Sequence, residues 1–180
     1  MLKPVPTLVL LAALAAAGAA HGAIHVVSYD PANTETRLTA GGLTFEYDQQ
    51  LIFTRVLKVR STEGQARAYL RPANEAVLGR GGLTALIGAD AHERDLYEVK
   101  PTAEGADLIH AFCPGSTRAW LAFGRIALYR GLRVRVLGDG GPGGEPRLCE
   151  TLDFTWRGEW KLPAGQSVHD RDLKAPTFPF

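Results

Sequence analysis

The chain has 180 residues, with 20 Lys and Arg against 19 Asp and Glu and a formal net charge of +1. That balance excludes a broad electrostatic mode of binding nucleic acid or an anionic membrane, since both need a strongly basic face. Two cysteines without a Cys-x-x-Cys exclude a dithiol redox motif and a zinc cluster built on paired thiols.

Residues 1–22 read as a secretory signal peptide. Lys3 gives a positive start, Leu8 to Ala20 is an unbroken run of apolar and small residues, and Ala17-Gly18-Ala19 and Ala20-His21-Gly22 offer small-residue cleavage sites. The run falls short of the roughly 20 apolar residues that span a bilayer as a helix, so no stable membrane insertion is expected after cleavage. The expected localisation is periplasmic or secreted, and the Arg-, Ala- and Gly-rich composition points to a bacterial source.

Residues 23–163 are expected to form a single β-rich domain, large enough to bury one core. Ile24 to Tyr29 is a short apolar and aromatic run that suits a strand. From Gly42 to Arg60 the period is two: Leu43, Phe45 and Tyr47 alternate with Thr44, Glu46 and Asp48, and then Leu51, Phe53, Leu57 and Val59 share a face with Arg55 out of pattern. Ala66 to Leu70, Leu96 to Val99 and Leu108 to Cys113 add further short strands. Pro72 to Arg80 and Leu83 to Asp95 have helical composition, with Pro72 suited to a first turn. Arg118 to Tyr129 satisfies neither period, and Gly124 favours two strands or one bulged strand.

Leu132, Val134 and Val136 alternate with Arg133 and Arg135, and Leu152, Phe154 and Trp156 alternate with Thr151, Asp153, Thr155 and Arg157. The Gly-rich segment Gly138 to Gly144 between them makes this a hairpin with a long tip. Both polar faces carry odd numbers, so a shared core requires Asp153 to oppose Arg133 or Arg135. Residues 164–180, with Gly165, Pro176 and Pro179 among charges, read as an extended or disordered tail. The fold expected is mainly β, an antiparallel sandwich or strongly bent sheet with one or two short helices; α+β is the alternative.

Export places Cys113 and Cys149 where thiols are oxidised, and only one intramolecular pairing exists. Their α-carbons are then expected roughly 4.4–6.8 Å apart. Catalytic, cofactor and metal motifs are not found. His25, His92, His110 and His169 show no His-x-x-x-His spacing, no Gly-x-Ser-x-Gly elbow occurs, and the Gly138 to Gly144 loop lacks the Gly-Lys-Ser/Thr of a phosphate cradle. Phe178-Pro179-Phe180 fails as the terminal strand of an outer-membrane barrel, because Pro179 breaks it and the strands are too few.

Trp156-Arg157-Gly158-Glu159-Trp160 is the most suggestive local motif. In a regular strand the two indoles point the same way roughly 13 Å apart, at about 3.3 Å per residue, and could stack on sugar rings. The competing reading places both in the core with Leu152 and Phe154. The function expected is an exported, disulfide-stapled, non-catalytic binding or interaction module of a bacterial envelope, with a protein or glycan partner. One alternative is a small exported hydrolase whose His25, His92, His110 and acids converge only in space; another is a glycan or peptidoglycan binder using Trp156 and Trp160.

Overall fold

The structure, a computed structural model, describes residues 24–49, 54–62, 66–140 and 144–161. The leader at 1–22, the tail at 164–180 and the residues Leu51, Phe53 and His169 lie outside the described residues.

Eight strands account for most of the described chain: β1 (Ile24–Pro31), β2 (Leu43–Gln49), β3 (Thr54–Ser61), β4 (Arg67–Pro72), β5 (Asp95–Val99), β6 (Ala119–Phe123), β7 (Leu132–Gly138) and β8 (Arg147–Lys161). Each pairs antiparallel with the next, and β8 returns to pair with β1, so the sheet is a closed barrel. The mainly β reading holds, but the form is neither sandwich nor bent sheet. The difference lies in β8. This 15-residue strand pairs with β7 from Arg147 to Phe154 and with β1 from Phe154 to Lys161, changing partner half-way along.

A barrel of eight strands has a bore just wide enough for side chains to fill. Phe45, Phe123 and Tyr97 meet at its centre, with ring centroids 5.3 Å apart for the first two and 5.0 Å for the stacked second pair. Leu43, Leu121, Val134, Val136 and Leu152 complete the packing. Each such side chain contributes about 1.5–3 kcal/mol by leaving water. The outer wall carries Thr44, Glu46, Lys58, Arg60, Arg133 and Asp153. This is the inverse of a membrane barrel, which turns apolar residues outward and keeps a polar lumen.

The expected hairpin is present with the expected register. Arg133 opposes Asp153, and its Nε donates to the carboxylate at 2.6 Å. In β3 the alternation expected from the sequence breaks. A bulge sets Lys58 opposite Glu46 but Val56 opposite Tyr47, so Val56 and Val59 are buried and Leu57 is not.

One end of the barrel is closed by helices. In α1 (Thr34–Thr39), capped by Asn33, the buried Thr36 hydroxyl accepts the backbone N–H of Asp153. α3 (Ala103–Phe112) replaces the strand expected over Leu108 to Cys113. Gly105, Leu108, Ile109 and Phe112 are its buried residues, spaced i, i+3, i+4, i+7, while Thr102 caps its start by accepting from the Gly105 N–H at 3.1 Å. A strand reading that began at Leu108 cut this period in half. Gly105 is required by contact: a β-carbon there would stand 2.1 Å from the carbonyl oxygen of Lys100.

The long connection from β4 to β5 supplies shorter helical pieces than expected, a 3₁₀ turn at Glu75–Leu78 and α2 (Gly82–Ile87). They lie on the outside of the barrel and make a second small core, in which Leu78 and Leu83 cover Leu96, Trp120, Ala122 and Leu137. Trp120 is thereby buried beneath this lid, with the Arg118 guanidinium 4.9 Å from its ring centre. Beside it the buried Glu98 carboxylate receives Arg71 and Arg118, each at 2.8 Å. Burial pushes its pKa up, but the two guanidinium hydrogen bonds outweigh that and hold it below the usual carboxylate range.

Cys113 and Cys149 are joined, with α-carbons 5.3 Å apart and a sequence separation of 36. Cys113 ends α3 rather than a strand, and Cys149 is the extra residue of a bulge in β8. The bridge therefore fastens the closing helix to the barrel wall. Removing it by the double substitution Cys113→Ser and Cys149→Ser is expected to lower unfolding free energy by about 3–4 kcal/mol on the chain-entropy account. Urea denaturation measures this; a loss below about 1 kcal/mol would show that α3 holds without the staple.

Candidate functional site

The opposite end of the barrel owes its shape to unequal strand lengths. β7 begins at Leu132, opposite Phe154, so from Thr155 onward one side of β8 faces the β6–β7 connection instead of a strand. The connection runs close to β8 at Gly131, where a β-carbon would approach the Phe154 carbonyl oxygen to 2.8 Å. Before it, Tyr129 holds φ at 58°, a left-handed conformation that costs a non-glycine residue roughly 1–3 kcal/mol. Its ring is 79% exposed and lies 4.4 Å from that of Trp156.

Between connection and strand is an open slot of about 380 Å³ lined by Leu128, Tyr129, Trp156, Gly158, Glu159, Trp160 and Lys161. Trp156 is half-buried and Trp160 is 43% exposed. They do not share a face as a regular strand would require. Tyr29 opposes Trp156 while Ser28 opposes Gly158, which leaves Arg157 as the extra residue of a bulge. Trp156 thus follows the inward parity of Tyr29, and Trp160 follows the outward parity of Val26. The Trp160 ring folds back over Gly158, where an added β-carbon would stand 3.1 Å from Cη2.

The same bulge turns Glu159 inward, opposite Val27. Strict alternation with Asp153, Thr155 and Arg157 would have sent it to solvent. Inside the barrel mouth its Oε1 accepts from His25 Nδ1 at 2.5 Å and from the Tyr47 hydroxyl at 2.7 Å. His25, itself buried, stacks on Tyr47 with ring centres 5.1 Å apart. Burial pushes the Glu159 pKa up, yet the hydrogen bonds from Tyr47 and His25 and the charges of His25 and Lys161 prevail and leave it below the usual range. Tyr29, behind them, is raised to about 12 by burial and by the Glu159 charge. Its hydroxyl has no hydrogen-bond partner among the described residues. Tyr47 is raised by burial first and then by its bond to Glu159.

Among the described histidines, only His25 hydrogen-bonds an acid. His92 is exposed in an outer groove with Arg133 and Arg135, and His110 is exposed on α3. Among the described residues no serine, threonine or cysteine side chain bonds to the His25–Glu159–Tyr47 cluster. Among the described residues no group of three or more His, Cys, Asp and Glu is placed to hold a metal ion. No helix among them is long and apolar enough to cross a membrane. Comparison with known proteins adds nothing further, since no family model, curated protein or solved structure matches the chain.

Trp156 and Trp160 both line this slot; the sequence names His25 only as one of several histidines, and its pairing with Glu159 and Tyr47 is not legible there. A single inserted residue in β8 decides which way Glu159 points, and nothing local in the sequence announces it.

Because the folded state holds Glu159 below its unfolded pKa of about 4.3, its stabilisation is present above that value and is lost as pH falls through the folded one. The gap in urea midpoint between the parent and Glu159→Gln is expected to be wide at pH 7 and to shrink at pH 3. An equal gap at both pH values would show that the carboxylate charge contributes nothing to the cluster.

Proposed function

We propose that this is an exported, non-catalytic binding domain of a bacterial envelope that takes its ligand in the slot at the open end of the barrel. The observation that carries the reading is the placement of exposed aromatic side chains. The bore is packed and the far end is covered by α3, whereas Tyr129 and Trp160 stand exposed around one concavity beside Trp156. Its volume falls in the range of small-ligand sites, roughly 300–1,000 Å³. Tyr129 is held outward by a left-handed backbone that carries a cost, which its contact with the Trp156 ring offsets in part, and such strain collects at binding sites.

The hydrolase reading draws on the His25–Glu159 pair, the one hydrogen bond between a histidine and an acid among the described residues. His25 is 5% exposed and bonds no nucleophile, so the pair serves better as a brace that fixes the Glu159 carboxylate. Export draws on the leader read at residues 1–22 and on the Cys113–Cys149 bridge, which is compatible with an oxidising compartment.

Two measurements test this. Mass spectrometry of the protein made with its own leader in a bacterial host is expected to find a chain that starts at Ala20 or Ala23; an intact Met1 in the fractionated envelope would overturn export. Titrating ¹⁵N-labelled protein with oligosaccharide and peptide fractions of an envelope extract is expected to move the indole N–H signals of Trp156 and Trp160 and leave that of buried Trp120 in place. Tyr129→Ala and Trp160→Ala are each expected to weaken that binding by at least about 1 kcal/mol while changing stability by no more than about 0.5 kcal/mol. Shifts that spare both mouth indoles would remove the slot as the site.

A further inference from the structure

Glu159 is the unusual member of the slot. Its Oε1 is taken by His25 and Tyr47, while Oε2 has no hydrogen-bond partner among the described residues and belongs to a side chain that is 14% exposed and lines the cavity. A braced carboxylate with one open oxygen asks for a donor from whatever enters. An apolar ligand that covered it would leave Oε2 desolvated and without a hydrogen bond, which is unfavourable.

Lys161 lines the same cavity, so the slot carries one charge of each sign. A simple cation meets the ammonium, and a simple anion meets the carboxylate. A neutral group that donates to one and accepts from the other suits both, and a sugar hydroxyl does this. Around these two heads the exposed faces of Tyr129 and Trp160 offer flat apolar surface. A pyranose ring has the matching pair of properties, a C–H face and a polar rim.

We infer that the slot takes a neutral saccharide, its ring against Tyr129 and Trp160 and a hydroxyl donating to Oε2 of Glu159. This rests on the slot being the ligand site. His25 and Tyr47 act here as positioning residues: they fix Oε1 so that Oε2 keeps one direction, and the lowered Glu159 pKa keeps the acceptor ionised at neutral pH.

The test is to present the full chain to an array of neutral, acidic and amino glycans and to follow the hits by NMR and calorimetry, with tetramethylammonium chloride and sodium acetate as charged probes. The expected result is a neutral glycan that moves Trp156 and Trp160. Glu159→Gln is expected to weaken it about tenfold or more, as for loss of a charge-assisted hydrogen bond. Tyr47→Phe, which removes one of the two donors to Oε1 at a residue that does not line the slot, is expected to weaken it less and to shift its pH profile upward. Two outcomes overturn the inference and leave the slot standing: tetramethylammonium or acetate alone moving the mouth indoles, or a glycan that binds Glu159→Gln as tightly as the parent. A glycan that moves neither indole overturns both inference and site. If Glu159→Gln does not fold, Lys161→Ala is read instead, with a severalfold loss expected and no loss counting against the inference.

Discussion

The bulge at Arg157 is the constraint on which the rest of this structure depends. A strand as long as β8 cannot stay in one register with two partners that diverge around a cylinder, because tilt and twist accumulate along it. The chain meets this with two extra residues, Cys149 against β7 and Arg157 against β1. The first places a cysteine where it reaches the end of α3. The second closes the barrel onto β1 and sends Glu159 indoors. Closure, staple and braced carboxylate are consequences of how one strand bends.

The two ends of the barrel are built on opposite principles. At the closed end, apolar side chains of α3 enter the core, Asn33 and Thr102 cap helix starts, and Asp139 gathers the turn after Cys113 by accepting from the N–H groups of Thr117 and Arg118. The backbone there is tied across distant segments. At the open end Tyr29 leaves a hydroxyl unpaired, Tyr129 occupies a costly backbone conformation, and indoles face water. Such departures from the economical arrangement collect where a protein meets a ligand. The sealed end supplies the rigidity that lets the other keep them.

Much of the wall was legible because its physics is local. Leu43, Phe45 and Tyr47 alternate with polar residues in a way only a half-buried strand satisfies, and the odd-numbered polar faces of β7 and β8 narrowed the residue opposite Asp153 to Arg133 or Arg135, of which the fold takes Arg133. The helix α3 was hidden because Leu108, Ile109 and Phe112 make a run too short to separate helix from strand, and only Thr102 and Gly105 upstream complete the helical period. Barrel closure was hidden for another reason. It is a property of β1 and β8 together, whose partners Val26 and Trp160, and Val27 and Glu159, stand far apart in sequence, and no window along the chain contains both. The bulges that invert Leu57 and Glu159 are likewise decided by the partner strand.

Closing a sheet removes the free edges through which β proteins stick to one another, and here the removal stops short. From Thr155 to Lys161 one side of β8 has no neighbouring strand among the described residues. An aromatic edge of that length would ordinarily invite a second copy to extend the sheet. The extra residue at Arg157 breaks the even spacing of backbone groups that such a copy would need, Gly158 adds no side chain for it to grip, and charges fall at Arg157, Glu159 and Lys161. The irregularity that opens the slot also acts as its gatekeeper against self-association.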